Sequence, residues 1–144
     1  MQTFLPYKSY VKSAECLDNA RLGKQRVEVK QIFRALTDPT YGWQHHPAVN
    51  MWRGHHKNLL RYGMIICQEW ICRGCKDTLH DEFLEIFLML PEVDIPPAWV
   101  GNNRFHRSHR SNLLRKFPEH YRQYFPKTPD NLPYIWPTTT NRSK

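Results

Sequence analysis

The sequence predicts an all-α protein: a compact single domain of about five or six helices followed by a proline-rich, aromatic tail. Three observations lead there. Apolar residues recur at steps of three and four over several stretches. No stretch alternates apolar with polar residues as a half-buried strand does. Prolines fall between the periodic stretches or at their first turns, where a helix tolerates them. A chain of 144 residues is one domain's length, enough to enclose a proper core.

The elements follow in order. Ser9 is a natural N-cap for a short first helix through about Leu17. Ala20 to Leu36 forms the second, with Leu22, Val29, Ile32, Phe33 and Leu36 on its apolar face and Asp38-Pro39 ending it. Pro47 suits the first turn of a long third helix running to Ile71, stopped by Gly74. Asp77 caps a fourth, with Leu79, Phe83, Leu84, Ile86, Phe87 and Leu88 as its apolar positions. Pro91, Pro96 and Pro97 break the chain, and Asn102 or Asn103 opens a fifth helix through about Phe117. Pro118–Tyr124 gives a short sixth. Pro126, Pro129, Pro133 and Pro137 then impose an extended tail over 126–144.

Charge narrows the partner. The net charge is +8, and its distribution is uneven. Residues 1–76 hold twelve Lys/Arg against five Asp/Glu, residues 77–100 hold six acids and no Lys/Arg, and residues 101–144 hold nine Lys/Arg against two acids. A basic start and a basic end folded together make one positive face, which favours nucleic acid as partner. No stretch approaches the ~20 apolar residues of a membrane span, and Met1–Pro6 lacks the features of a signal peptide. An intracellular monomer with reduced cysteines is expected.

Candidate chemistry concentrates in LDNARLGKQRVEVKQ, Leu17 to Gln31. On a helix Arg21, Lys24, Glu28 and Gln31 share one stripe, which puts a single carboxylate within a basic, solvent-facing row. That suits chemistry on a bound polyanion, although an ion pair of Glu28 with Lys24 or Arg21 fits the same spacing. Arg26 joins Arg21 and Lys24 as a DNA-binding candidate. Cys67, Cys72, Cys75 and His80 have an uncommon ligand spacing for zinc. His45-His46 and His55-His56 lack the neighbouring carboxylates of a metal nuclease, so no metal and no cofactor is expected. His46 is placed instead at phosphate or at a helix end. Toward the C-terminus Arg104, Arg107, Arg110, Arg115 and Lys116 recur every few residues, and Tyr121, Tyr124, Phe125, Tyr134 and Trp136 follow. Arginine forks suit phosphates, and aromatic faces stack on exposed bases. Arg107, Arg110, Arg115, Lys116, Tyr134 and Trp136 are the candidates for DNA contact, with anchoring of the tail the alternative for each aromatic.

The segments MQTFLPY, LDNARLGKQRVE, HPAVNMWRGHH, the YGxxxCxEWxxRG pattern from Tyr62 to Gly74, HRSHRSNLLRK and LPYIWP together resemble the pyrimidine-dimer DNA glycosylase family, in a branch distant from its founding phage enzyme. The resemblance implies a compact all-α domain and a DNA glycosylase with AP lyase activity that needs no metal. It implies that the nucleophile is the N-terminal α-amine and that one Glu on an early helix assists; by motif position that Glu is Glu28. Gln2 is bulky enough to oppose removal of Met1, so the amine expected to react is that of Met1 itself. Val27 and Gln31 stand where the founding enzyme has basic residues, leaving Lys24 or Arg21 to substitute. An α-amine suits the task, since an ordinary pKa of about 8 leaves a neutral fraction at pH 7. A non-catalytic DNA-binding or packaging protein on the same scaffold and a metal-dependent nuclease are the alternatives.

Overall fold

The computed structural model describes residues 1–137 and is all-helical over them. Seven helices follow one another: α1 (Tyr10–Cys16), α2 (Asn19–Thr37), α3 (Pro47–Asn50), α4 (His56–Cys72), α5 (Leu79–Met89), α6 (Asn103–Lys116) and α7 (Pro118–Tyr121). Side chains set their starts. Ser9 Oγ accepts the Lys12 N–H at 3.1 Å, and Asn102 Oδ1 accepts the Phe105 N–H at 3.1 Å. The expected single third helix is two. After the turn of α3 the chain passes through Gly54 at φ +85°, a left-handed conformation that glycine adopts without steric cost, before α4 begins. Asp77 meets the start of α5 as expected, accepting the His80 N–H at 2.7 Å. Residues 138–144 of the expected tail lie outside the described residues.

The long helices α2 and α4 pack along each other, with α5 and α1 against α4. Leu22, Val29 and Ile32 of α2 meet Leu59, Leu60, Tyr62 and Ile66 of α4 in the core. Gly63 permits their approach. A Cβ there would lie 2.7 Å from Val29 Cγ1 and 2.9 Å from Phe83 Cε2, inside any real contact. Phe105, Leu113 and Leu114 of α6 close the same core.

Into this core runs the N-terminal segment, whose residues 1–5 form neither helix nor strand. Thr3, Phe4 and Leu5 are buried, so their backbone polar groups must be satisfied by something other than water. Side chains from three helices do it. Gln25 of α2 accepts the Phe4 N–H at 3.0 Å and donates to the Gln2 carbonyl at 3.1 Å. Tyr62 of α4 donates to the Phe4 carbonyl at 2.7 Å. From α6, His109 Nδ1 accepts the Leu5 N–H at 3.0 Å, His106 Nδ1 meets the Leu5 carbonyl at 2.8 Å, and Arg110 donates to the Pro6 carbonyl at 2.8 Å. Trp52 Nε1 donates to Thr3 Oγ1 at 3.0 Å. Gln2 to Pro6 are thus held by side chains in place of a strand's ladder.

The two histidines of this brace must stay neutral. His109 spends Nδ1 as an acceptor, and His106 accepts the Gly101 N–H at Nε2 while Nδ1 serves Leu5. Burial holds both below the ordinary imidazole range, His109 at about 3. In the unfolded chain each takes up a proton near pH 6.5. The unfolded state therefore binds more protons below that pH, and stability present above it is lost as the pH falls. We expect unfolding free energy to drop by about 2 kcal/mol between pH 7 and pH 5 from His109 alone. Urea titrations at the two pH values check this, and a flat response would remove the neutral-histidine brace.

Candidate active site

The braced segment delivers the N-terminus to one carboxylate. Met1 N lies 4.0 Å from Glu28 Oε1, and the Gln2 N–H donates to the same oxygen at 3.1 Å. The Met1 side chain is 7% exposed and packs against the core, so the terminus is seated rather than frayed. Glu28 itself departs from expectation. It is buried at 6% exposure, not solvent-facing, because the N-terminal segment lies over it. It borders the core row of Leu22, Gln25, Val29 and Ile32 rather than sitting opposite it.

Beside this carboxylate opens a cleft of about 270 Å³, lined among others by Gln2, Arg21, Lys24, Gln25, Glu28 and Lys116. Three cations named from the sequence thus converge on one wall-to-wall space with the carboxylate. Arg21 is steadied by Asp18, whose Oδ1 lies 3.2 Å from its Nη1, while Lys24 and Lys116 are exposed. Asp18, which caps α2, keeps its carboxyl below the usual range through hydrogen bonds from Tyr121 and Arg21 that outweigh its burial.

On another side stands His46. It caps α3, its Nδ1 accepting the Ala48 N–H at 3.0 Å, which leaves the ring hydrogen on Nε2. Burial, then the charge of the terminal amine, hold it below the ordinary imidazole value, while Glu28 pulls the other way. Trp136 meets the His46 ring edge-to-face at 5.8 Å, and Tyr134 is 4.8 Å from Trp136. Tyr134 also stacks at 4.6 Å on His109, the ring whose Nδ1 accepts the Leu5 N–H. The tail aromatics thus do anchor the tail, and the place they anchor it is beside the N-terminus.

Other candidates stand apart. Arg26 pairs with the buried Asp77 carboxylate and lies 4.8 Å over the Trp70 ring, about 200° around α2 from Glu28. Arg110 is drawn in to Pro6, and Arg115 donates to the Asp130 and Leu132 carbonyls at 2.8 and 3.0 Å. Arg107 remains exposed, at a second cleft of about 230 Å³ that it shares with Arg104, Ser108 and the tail. His55 Nδ1 faces the Ile95 carbonyl at 3.1 Å. Among the described residues no three His, Cys, Asp or Glu side chains converge to hold a metal ion, and no helix is long and apolar enough to cross a membrane.

Gln25 escaped sequence reasoning although a signal was present. It lies three residues after Leu22 and four before Val29, a polar side chain on the core stripe. His106 and His109 gave no such signal, because nothing local distinguishes a buried imidazole from an exposed one.

The family model described as pyrimidine dimer DNA glycosylase matches residues 1–83, which include Met1, Glu28 and His46. No curated protein and no solved structure matches. With more than half of the chain under that model, the protein belongs to the pyrimidine dimer DNA glycosylase family.

Proposed function

We propose that the protein is a DNA glycosylase with AP lyase activity, excising a damaged pyrimidine from double-stranded DNA with the Met1 α-amine as nucleophile. The observation that carries this reading is the seated amine 4.0 Å from a buried carboxylate, beside a cleft with three cations. The neutral amine attacks sugar C1′ and the C1′–N bond to the base breaks, its electron pair leaving with the base. Glu28 offsets the positive charge that develops on the sugar. The added amine gives up a proton, the C1′–O4′ ring bond breaks with its electron pair and a proton going to O4′, and the nitrogen lone pair closes a C1′=N iminium, which acidifies the C2′ hydrogen. Loss of that proton, with Glu28 as the nearest base, expels the 3′ phosphate oxygen by β-elimination. Hydrolysis of the imine restores the amine.

Arg21, Lys24 and Lys116 would hold phosphates around the site, and Arg107 phosphates further along the duplex, as positioning contacts without sequence preference. His46, Tyr134 and Trp136 offer ring faces and edges to an extruded nucleotide. The protein acts as an intracellular monomer without cofactor in this reading. A labelled duplex carrying one cyclobutane pyrimidine dimer tests it. Incision next to the dimer in the presence of EDTA is expected, with the undamaged duplex left intact. Incision that needs an added divalent ion, or none at all, would refute it.

The two central arginines of α6 should separate. Arg107→Ala is expected to lower the slope of log K against log salt by about 0.9 with little change in melting temperature. Arg110→Ala, which strips the partner from the Pro6 carbonyl, should chiefly lower the melting temperature. Salt titration of duplex binding beside thermal melts reads both; equal behaviour of the two variants would contradict the assignment.

A further inference from the structure

Trp43 is held out of the protein where burying it would be the ordinary outcome. Its side chain is 63% exposed, the most exposed aromatic among the described residues. Its backbone sits at φ +68°, and among those residues it is the one non-glycine with a positive φ. A bulky residue rarely adopts that conformation, so the surroundings must enforce it. They do. Gln44 Nε2 donates to the Asp38 carbonyl at 2.6 Å, Arg53 donates to the Gln44 carbonyl at 2.6 Å, and the His46 N–H bonds the Trp43 carbonyl at 3.0 Å. The turn is pinned on both flanks, and its apex projects an indole. The indole meets the ring of His46 edge-to-face at 5.9 Å. The ring of His46 in turn meets Trp136 edge-to-face at 5.8 Å. Trp43 therefore marks the outer end of an aromatic row that runs through His46, Trp136 and Tyr134 to His109, which holds the N-terminal segment at Leu5.

We propose that Trp43 is a wedge that enters the base stack of the duplex beside the lesion and occupies the space left when a nucleotide is extruded. The inference rests on the reading of the protein as a DNA glycosylase and assigns the step that reading leaves unexplained: what opens the duplex. An amine seated beside a buried carboxylate cannot reach C1′ of a stacked nucleotide, so the stack must be opened. An apolar or aromatic side chain inserted between base steps lowers the cost of doing so. A rigidly presented indole at the outer end of that row has the required size and exposure. Trp43 touches neither Met1 nor Glu28 in the structure and is a positioning residue.

The test uses the full chain and a duplex with 2-aminopurine opposite a stable abasic analogue. The parent is expected to raise 2-aminopurine fluorescence on binding. Trp43→Ala should bind through its unchanged phosphate contacts yet fail to raise the signal, and should slow excision from dimer duplex about tenfold or more. Cleavage of an abasic site in single-stranded DNA should be unchanged, since no stack is opened there. Trp43→Phe should retain most of both functions. Trp43→Gly, which suits φ +68°, should melt no lower than the parent and behave as Trp43→Ala; it separates the wedge from a folding defect. If Trp43→Ala and Trp43→Gly keep the parent's fluorescence change and duplex rate, or only weaken binding uniformly, the wedge is overturned while the glycosylase reading stands. A parent that unstacks 2-aminopurine but never incises dimer duplex, with the signal lost in the variants, would keep the wedge and overturn the glycosylase reading.

Discussion

Glu28→Gln is expected to slow base excision by a hundredfold or more, a loss of about 3–4 kcal/mol of barrier stabilisation. The substitution keeps shape and one acceptor oxygen, so the Gln2 N–H, now 3.1 Å from Oε1, retains its partner. What it removes is the negative charge 4.0 Å from the amine. The reaction passes through a cationic sugar, and a fixed carboxylate in a water-poor place opposes that charge far better than an amide dipole. Burial of Glu28 at 6% exposure makes this setting unlike that of a surface ion pair, where the same change would matter little. Single-turnover excision at saturating enzyme reads the effect free of binding. A thermal melt within a few degrees of the parent assures that the fold survives. Parent-like turnover would reduce Glu28 to a structural acceptor for the N-terminal backbone.

Gln25→Leu is expected to cost about 3–5 kcal/mol of stability and most of the activity together. The leucine fits the apolar stripe but leaves the buried Phe4 N–H and the half-buried Gln2 carbonyl without their side-chain partner. Each such group costs about 1–3 kcal/mol. The segment carrying the amine would shift, and displacing a reacting group by ~1 Å can cost a hundredfold in rate. Urea unfolding and excision at a temperature where the variant stays folded separate the two losses. A variant within about 0.5 kcal/mol of the parent would show that the N-terminal segment is held elsewhere.

The contrast between Gln25 and Arg21 shows what was legible. Arg21, Lys24 and Glu28 share a stripe by local spacing, and the structure brings all three to one cleft. Ser9, Asn102 and Gly74 marked helix ends through chemistry confined to a few residues, and those ends stand where the sequence placed them. The break between α3 and α4 was missed because Gly54 lies inside an apolar pattern that a continuous helix also satisfies. The burial of Glu28 was missed for a different reason. It depends on an extended segment whose partners lie 21 to 104 residues away, from Gln25 to His109 and Arg110. No periodicity announces such a segment, because side chains from separate helices satisfy its backbone. For the same reason the sequence could not show that Arg110 and Arg115 turn toward backbone carbonyls.

The most direct measurement is the covalent one. The protein is incubated with abasic-site duplex and borohydride, which reduces any imine to a stable amine, and the adduct is digested and mapped by mass spectrometry. A cross-link on the α-nitrogen of Met1 is expected, and acetylation of that nitrogen should abolish it. A cross-link on an internal lysine such as Lys24, or no cross-link under conditions where the DNA is bound, would contradict the assignment of the Met1 amine as nucleophile.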